Sequence, residues 1–229
     1  MSTTSALDSF LDKWRQRWPE WTVAERFVMP AQQTLAVAWF TLLQEFEDIM
    51  NISGDTLPAD AKLAWWQQEL RDWSSRRSRH PLGRLLEPVA APWSELAQAL
   101  PAVQEIRSQP LSLEAALALL EPFAQAVVAV EAVLFERARD SDARAIAVQW
   151  LAARLVAAGA SAAPAGTDVP AWRAQLLSNW PAKPALAQPH RLWSRLARLR
   201  LQREQAGQAA WPPPLLQLWH AWRAGSGGA

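Results

Sequence analysis

The chain has 229 residues, half of them hydrophobic, which suits one large domain with its own core and excludes a disordered chain. It contains no Cys, so disulfides, thiolate catalysis and thiolate metal ligands are excluded. The formal charge of +1 is unevenly spread: residues 1–168 carry 15 basic and 21 acidic side chains, residues 169–229 carry 8 basic ones against the single acid Glu204.

Apolar residues recur at helical spacing almost throughout. Leu7, Phe10, Leu11, Trp14 and Trp18 form a first stripe, with Ser5 and Asp8 placed as a capping box. A second helix is predicted from about Pro30 to Met50, ended by Asn51-Ile-Ser-Gly-Asp55, and a third from about Ala59 to Ser75 with Leu63, Trp66, Leu70 and Trp73 facing inward. Pro81 and Pro88 bracket a short apolar segment, and Trp93–Leu100 forms another. Ser112 is a good N-cap for a helix able to reach Arg139, with a kink or break expected near residue 121 because Pro122 lacks the backbone donor and crowds the preceding turn. Ser141 is expected to cap the next helix and Gly159 to end it. Residues 160–166 read as a mobile loop. Helices over 169–179 and 189–206 follow, then one opened by Pro212, Pro213 and Pro214 and running to about Arg223, before a disordered Gly-rich tail at 225–229. No alternating strand pattern is present, so the expected fold is an all-α, single-domain helical bundle over residues 1–224. The 15 Trp, with no Tyr, imply either an indole-filled core or a site walled by aromatic rings.

No basic start followed by an apolar run marks a signal peptide, and no stretch of about 18 uncharged apolar residues marks a membrane span. A cytoplasmic protein is expected, with peripheral membrane contact through the basic C-terminal helix as the one membrane role and no nucleic-acid partner. His80, His190 and His220 form no zinc pattern, and neither a nucleophile elbow nor a Gly-rich phosphate loop is present. The acids worth attention lie in the second helix. At about 100° per residue, Gln44, Glu47, Asp48 and Asn51 share the sector opposite Leu35, Trp39, Leu42, Phe46 and Ile49. Oxygens grouped in this way can hold Mg²⁺ with a substrate phosphate completing its shell, and the wet side of an amphipathic helix looks the same. In the C-terminal half Arg191, Arg195 and Arg198 could gather phosphate groups, or could simply be the polar face of a helix packed through Leu192, Leu196 and Leu199.

Three segments carry a resemblance: Arg26-Phe-Val-Met-Pro30, then Ala38-Trp39-Phe40 with Glu45-x-Glu47-Asp48-Ile49, and Lys62-Leu63-Ala64-Trp65-Trp66-Gln67-Gln68-Glu69-Leu70 followed by His80-Pro81-Leu82. Together they resemble the start of the squalene/phytoene synthase family over roughly residues 20–90, with a fainter likeness over 190–224. The resemblance implies an isoprenoid-synthase fold: a helical bundle around a deep, mostly apolar cavity. It also implies head-to-head condensation of prenyl diphosphates, with Mg²⁺ held by two aspartate-rich motifs. On this chain the first motif maps to Glu47, Asp48 and Asn51, of which only Asp48 is still Asp, and Gln44 stands where the family has Arg. The second motif has no counterpart: beyond Asp142 the only acids are Asp168 and Glu204. Half the ligand charge of a diphosphate site is therefore missing, and catalysis of this kind depends above all on stabilising the charge of the departing diphosphate. The expectation is a catalytically degenerate member that binds an isoprenoid or other lipid-like ligand, or a protein partner as an assembly factor does, with Trp65 as a cavity wall. The alternatives are a working prenyltransferase with Mg²⁺ on Glu47 and Asp48, and an interaction protein with a collapsed cavity that uses its basic end. No cofactor is expected unless catalysis survives.

Overall fold

The computed structural model describes residues 5–107, 110, 112–136, 142–208, 218–219 and 222–223. Its first helix, α1 (Ala6–Arg17), opens with the expected capping box: Asp8 N donates to the Ser5 hydroxyl and Ser5 N donates to the Asp8 carboxylate. A short α2 (Trp21–Ala24) and a 3₁₀ turn (Glu25–Phe27) lead into α3 (Pro30–Met50), whose Pro30 occupies the first turn, where its missing N–H costs nothing. Next come α4 (Leu57–Trp73), α5 (Gly83–Leu86), α6 (Trp93–Ala99) and α7 (Pro101–Glu105). Then follow α8 (Leu113–Leu134), α9 (Ala143–Ala158) with a 3₁₀ extension (Gly159–Ala162), α10 (Val169–Asn179) and α11 (Gln188–Gln205). Every regular element among the described residues is a helix, so the fold is all-α.

A single apolar cluster runs through the bundle from Leu11 to Leu201. The central member is α3, buried along nearly all sides from Ala36 to Met50, with α1, α4, α5 and α9 packed around it. This overturns the wet-face reading of its polar sector: Gln44 and Glu47 are only 4% and 7% exposed. Wheel geometry gives the sector correctly but not that α1 and α9 cover it. Helices α8 and α9 pair along their lengths, and α11 closes the bundle against α9, α10 and α2. By length and composition α8 and the α9 segment Ala143–Ala162 could each cross a membrane, but more than half of each is buried inside the protein, their apolar residues forming core.

Three further expectations change. The α8 helix runs unbroken through Pro122. Pro122 and Ala118, whose carbonyl the ring displaces, both lie on the exposed side, so the orphaned carbonyl can be hydrated while the flanking apolar residues hold both halves in the core. The segment after α9 is not a loose loop throughout, since Gly159–Ala162 is a 3₁₀ turn with Ala162 and Ala163 buried. At the start of α9 the Asp142 carboxylate caps, accepting from Ala145 N. Ser141, most of the Pro212–Arg223 segment and the 225–229 tail lie outside the described residues.

The Lys62–Leu82 stretch folds as a clamp. The Glu69 carboxylate is buried and accepts from Trp73 Nε1 (2.9 Å), Arg79 N (2.6 Å), Arg79 Nε (3.0 Å) and His80 N (2.7 Å). Burial pushes its pKa up, but these donors outweigh it and leave the group below the usual carboxylate range. His80 lies against Phe10, Trp65 and Trp66, and its Nδ1 accepts from Leu82 N. Burial lowers the His80 pKa to about 4, against the pull of Glu69. Gly83 follows because a side chain there would collide with Ser78.

Candidate functional site

Where α1, α3, α9 and α11 meet, the bundle leaves a cavity of about 330 Å³. Its apolar wall is made by Trp18, Trp150 and Trp193 with Ala152, Ala153, Val156, Ala197 and Leu201, and its polar groups are Arg17, Glu47, Gln149, Arg200 and Glu204. The wall follows from α9: Ala152, Ala153, Val156 and Ala157 present short side chains at i, i+1, i+4 and i+5, and short side chains leave space where larger ones would fill it. Trp150 is braced from behind by Phe123, ring centroids 4.5 Å apart. Trp18 and Trp193 meet edge to face at 5.8 Å within a nest that also holds Trp14, Trp21 and Phe40.

Glu47 enters this cavity from the buried side of α3. Burial raises its pKa to about 7; the positive charges of Arg17 and Arg200 and the Gln44 amide pull it back only in part, and Asp48 adds to the rise. Near neutral pH the group is thus divided between acid and carboxylate. The cationic lining groups are held by other acids: Arg17 Nη1 donates to Asp48 Oδ1 at 2.9 Å, and Arg200 grips Glu20 through Nε at 2.7 Å and Nη2 at 2.6 Å. Arg200 also lies over the Trp18 ring, 3.7 Å from its centroid, and bonds the Arg17 carbonyl, locking α11 onto the end of α1.

The other sequence-predicted residues are placed as follows. Asp48 faces α1, where Lys13 and Arg17 flank it and Gln44 Nε2 donates to it at 3.0 Å. Asn51 closes α3, its Nδ2 donating to Glu47 O and its Oδ1 accepting from Arg154 on α9. Among the motif residues only Glu47 lines the cavity. Trp65 does not line it: 40% exposed, it leans on Trp66 and His80 beneath Arg79. Arg191, Arg195 and Arg198 are half-buried rather than an open basic face. Arg191 and Arg198 donate to the carbonyls of Leu186 and Pro181, fastening the segment before α11. Burial, then the neighbouring Arg198 and Arg223 charges, lower the Arg195 pKa.

Sequence reasoning missed Trp18, Trp150, Trp193, Gln149, Arg200 and Glu204 as lining residues. Gln149 carried a signal, being the lone polar residue in the apolar run Ala145–Ala152, and its Oε1 is buried without a partner among the described residues. The rest come from the end of α1, from α9 and from α11, helices that no sequence spacing connects, and had none. Among the described residues no three His, Asp or Glu side chains are grouped to hold a metal ion. Compared with protein-family models, with curated proteins and with solved structures, the chain finds no match.

Proposed function

We propose that the protein is a squalene/phytoene-synthase-like helical protein that holds an isoprenoid or similar apolar ligand between α1, α3, α9 and α11 without diphosphate chemistry. The observation that carries this reading is the cavity itself: three indoles and a wall of short side chains around about 330 Å³, with a few convergent polar groups. At the ~30 Å³ liquid volume of one water-sized group, about ten such groups fill it, the size of a ten-carbon prenyl chain. A collapsed-core interaction protein has no use for such a space. The residues that map onto the metal motif support the same view. Mg²⁺ takes carboxylates whose charge is free for it, whereas Asp48 is already balanced by Lys13 and Arg17 and Asn51 is committed to Arg154. This donor set does not suit the ion.

The test is titration with geraniol, followed by calorimetry and Trp emission. The expected result is saturable one-to-one binding that Ala153→Trp abolishes while the helical signal and thermal midpoint are kept. No saturation up to the solubility of geraniol, or equal binding by Ala153→Trp, overturns the proposal. Incubation with farnesyl diphosphate and Mg²⁺ is expected to release no pyrophosphate. Release that Glu47→Gln removes would replace this reading with that of a working prenyltransferase.

A further inference from the structure

The ionic groups around the cavity have counter-charges of their own, with one exception. Arg17 is paired with Asp48 at 2.9 Å, Arg200 with Glu20 at 2.6 Å, and Glu204 with Arg173 at 3.8 Å. Glu47, 7% exposed and lining the cavity, makes no ion pair within 4.0 Å among the described residues. Charged groups reach it from α1 (Arg17), from its own helix (Asp48) and from α11 (Arg200 and Glu204), while α9 brings only Gln149, indole and aliphatic groups. With the three pairs neutral, an ionised Glu47 leaves one uncompensated negative charge in a low-dielectric space, a costly state that a ligand can relieve.

An anionic head meets the wrong charge in Glu47 and Glu204, and the two arginines that could attract it are already committed. An alcohol fits a protonated Glu47 but makes no charge-assisted bond. A cation fits both the acid and the walls, since indole faces attract cations and the Trp18 ring already carries one in Arg200. Resting on the cavity reading above, we infer that the ligand is an alkylamine: its ammonium pairs with the Glu47 carboxylate, and its hydrocarbon part lies against Trp150, Trp193 and the α9 alanines.

Three probes of one chain length decide this: geranylamine, geraniol and geranate, titrated at slightly alkaline pH into the wild type and Glu47→Gln. The expected order is amine over alcohol by about tenfold, the gain of a charge-assisted over a neutral hydrogen bond, with geranate weakest. Glu47→Gln should bring the amine down to the level of the alcohol, and Glu47→Asp should keep part of the preference. Equal binding of amine and alcohol by the wild type, or an amine preference that survives Glu47→Gln, overturns the inference while the apolar-ligand reading stands. If none of the three probes binds, both fall.

Discussion

Replacing Glu47 by Gln removes a titrating group from the bundle and keeps its shape, so the variant reads directly what burial does to this carboxyl. The folded pKa of about 7 against the ordinary 4.5, at about 1.4 kcal/mol per pH unit, amounts to about 3 kcal/mol. Because the folded-state pKa is raised, the folded protein holds the proton more tightly than the unfolded chain. The stability this contributes is fully present below pH 4.5 and is lost as pH rises through about 7. Gln does not titrate, so the stability of Glu47→Gln minus that of the wild type should climb by about 3 kcal/mol between these limits and then level off. Urea unfolding followed by Trp emission at a series of pH values measures this difference, and titrations common to both proteins cancel in it. A flat difference would show that the carboxyl is solvated or ion-paired in solution, and would remove the basis for treating Glu47 as the cavity's unpaired acid.

Four other outcomes are expected. Glu69→Ala should cost about 3 kcal/mol or more in urea unfolding, since it strands several donors at once; a loss below about 1 kcal/mol would discount the clamp. In a His80→Phe comparison the wild type should lose relative stability as pH falls from 6.5 towards 4, because the folded pKa of about 4 disfavours the charged ring; a pH-independent difference would refute this. Pro122→Ala should raise stability by about 1–3 kcal/mol by restoring a helical hydrogen bond, visible as a higher thermal midpoint. Asp48→Asn should cost no more than about 1 kcal/mol, its ion pairs being half-exposed, and should leave geraniol binding unchanged; loss of binding would return Asp48 to the site.

Local chemistry made much of the fold legible. Ser5 with Asp8, Pro30, Ser112 and Gly159 mark helix ends that the structure shows where the residues put them, because caps act within a few residues of themselves. Pro122 does not break α8: its local penalty is real, but the apolar residues on both sides hold the two halves in the core. Gln44 and Glu47 were placed on the correct face of α3 and given the wrong surroundings, because a helical wheel records direction and not what stands in that direction. The cavity is assembled from residues as far apart in sequence as Arg17 and Arg200, whose Nη2 donates to the Arg17 carbonyl, and no spacing rule connects them. Trp65 stood out in sequence as one of a Trp pair, yet the pair divides, Trp66 going into the core and Trp65 to the surface.

Two of the buried acids are tied directly to the indole-rich core. A Trp in the core brings an N–H that seeks an acceptor; two here take a carboxylate, whereas the Nε1 atoms of Trp14, Trp18, Trp21, Trp172 and Trp193 are buried without a partner among the described residues. Trp73 donates to Glu69 and Trp39 to Glu131, which His190 Nδ1 also contacts. Glu20 serves the same architecture from the other side, holding the arginine that covers Trp18. Four Glu side chains are buried among the described residues, and these three are each held by at least two contacts that define their place in the fold. Removing any of them should therefore cost stability. The fourth, Glu47, has no such donor set, has the raised pKa of an acid held at a loss, and is the one beside open space. Structural demands explain three of the buried acids and not Glu47, which is why the proposed ligand is set against this carboxyl.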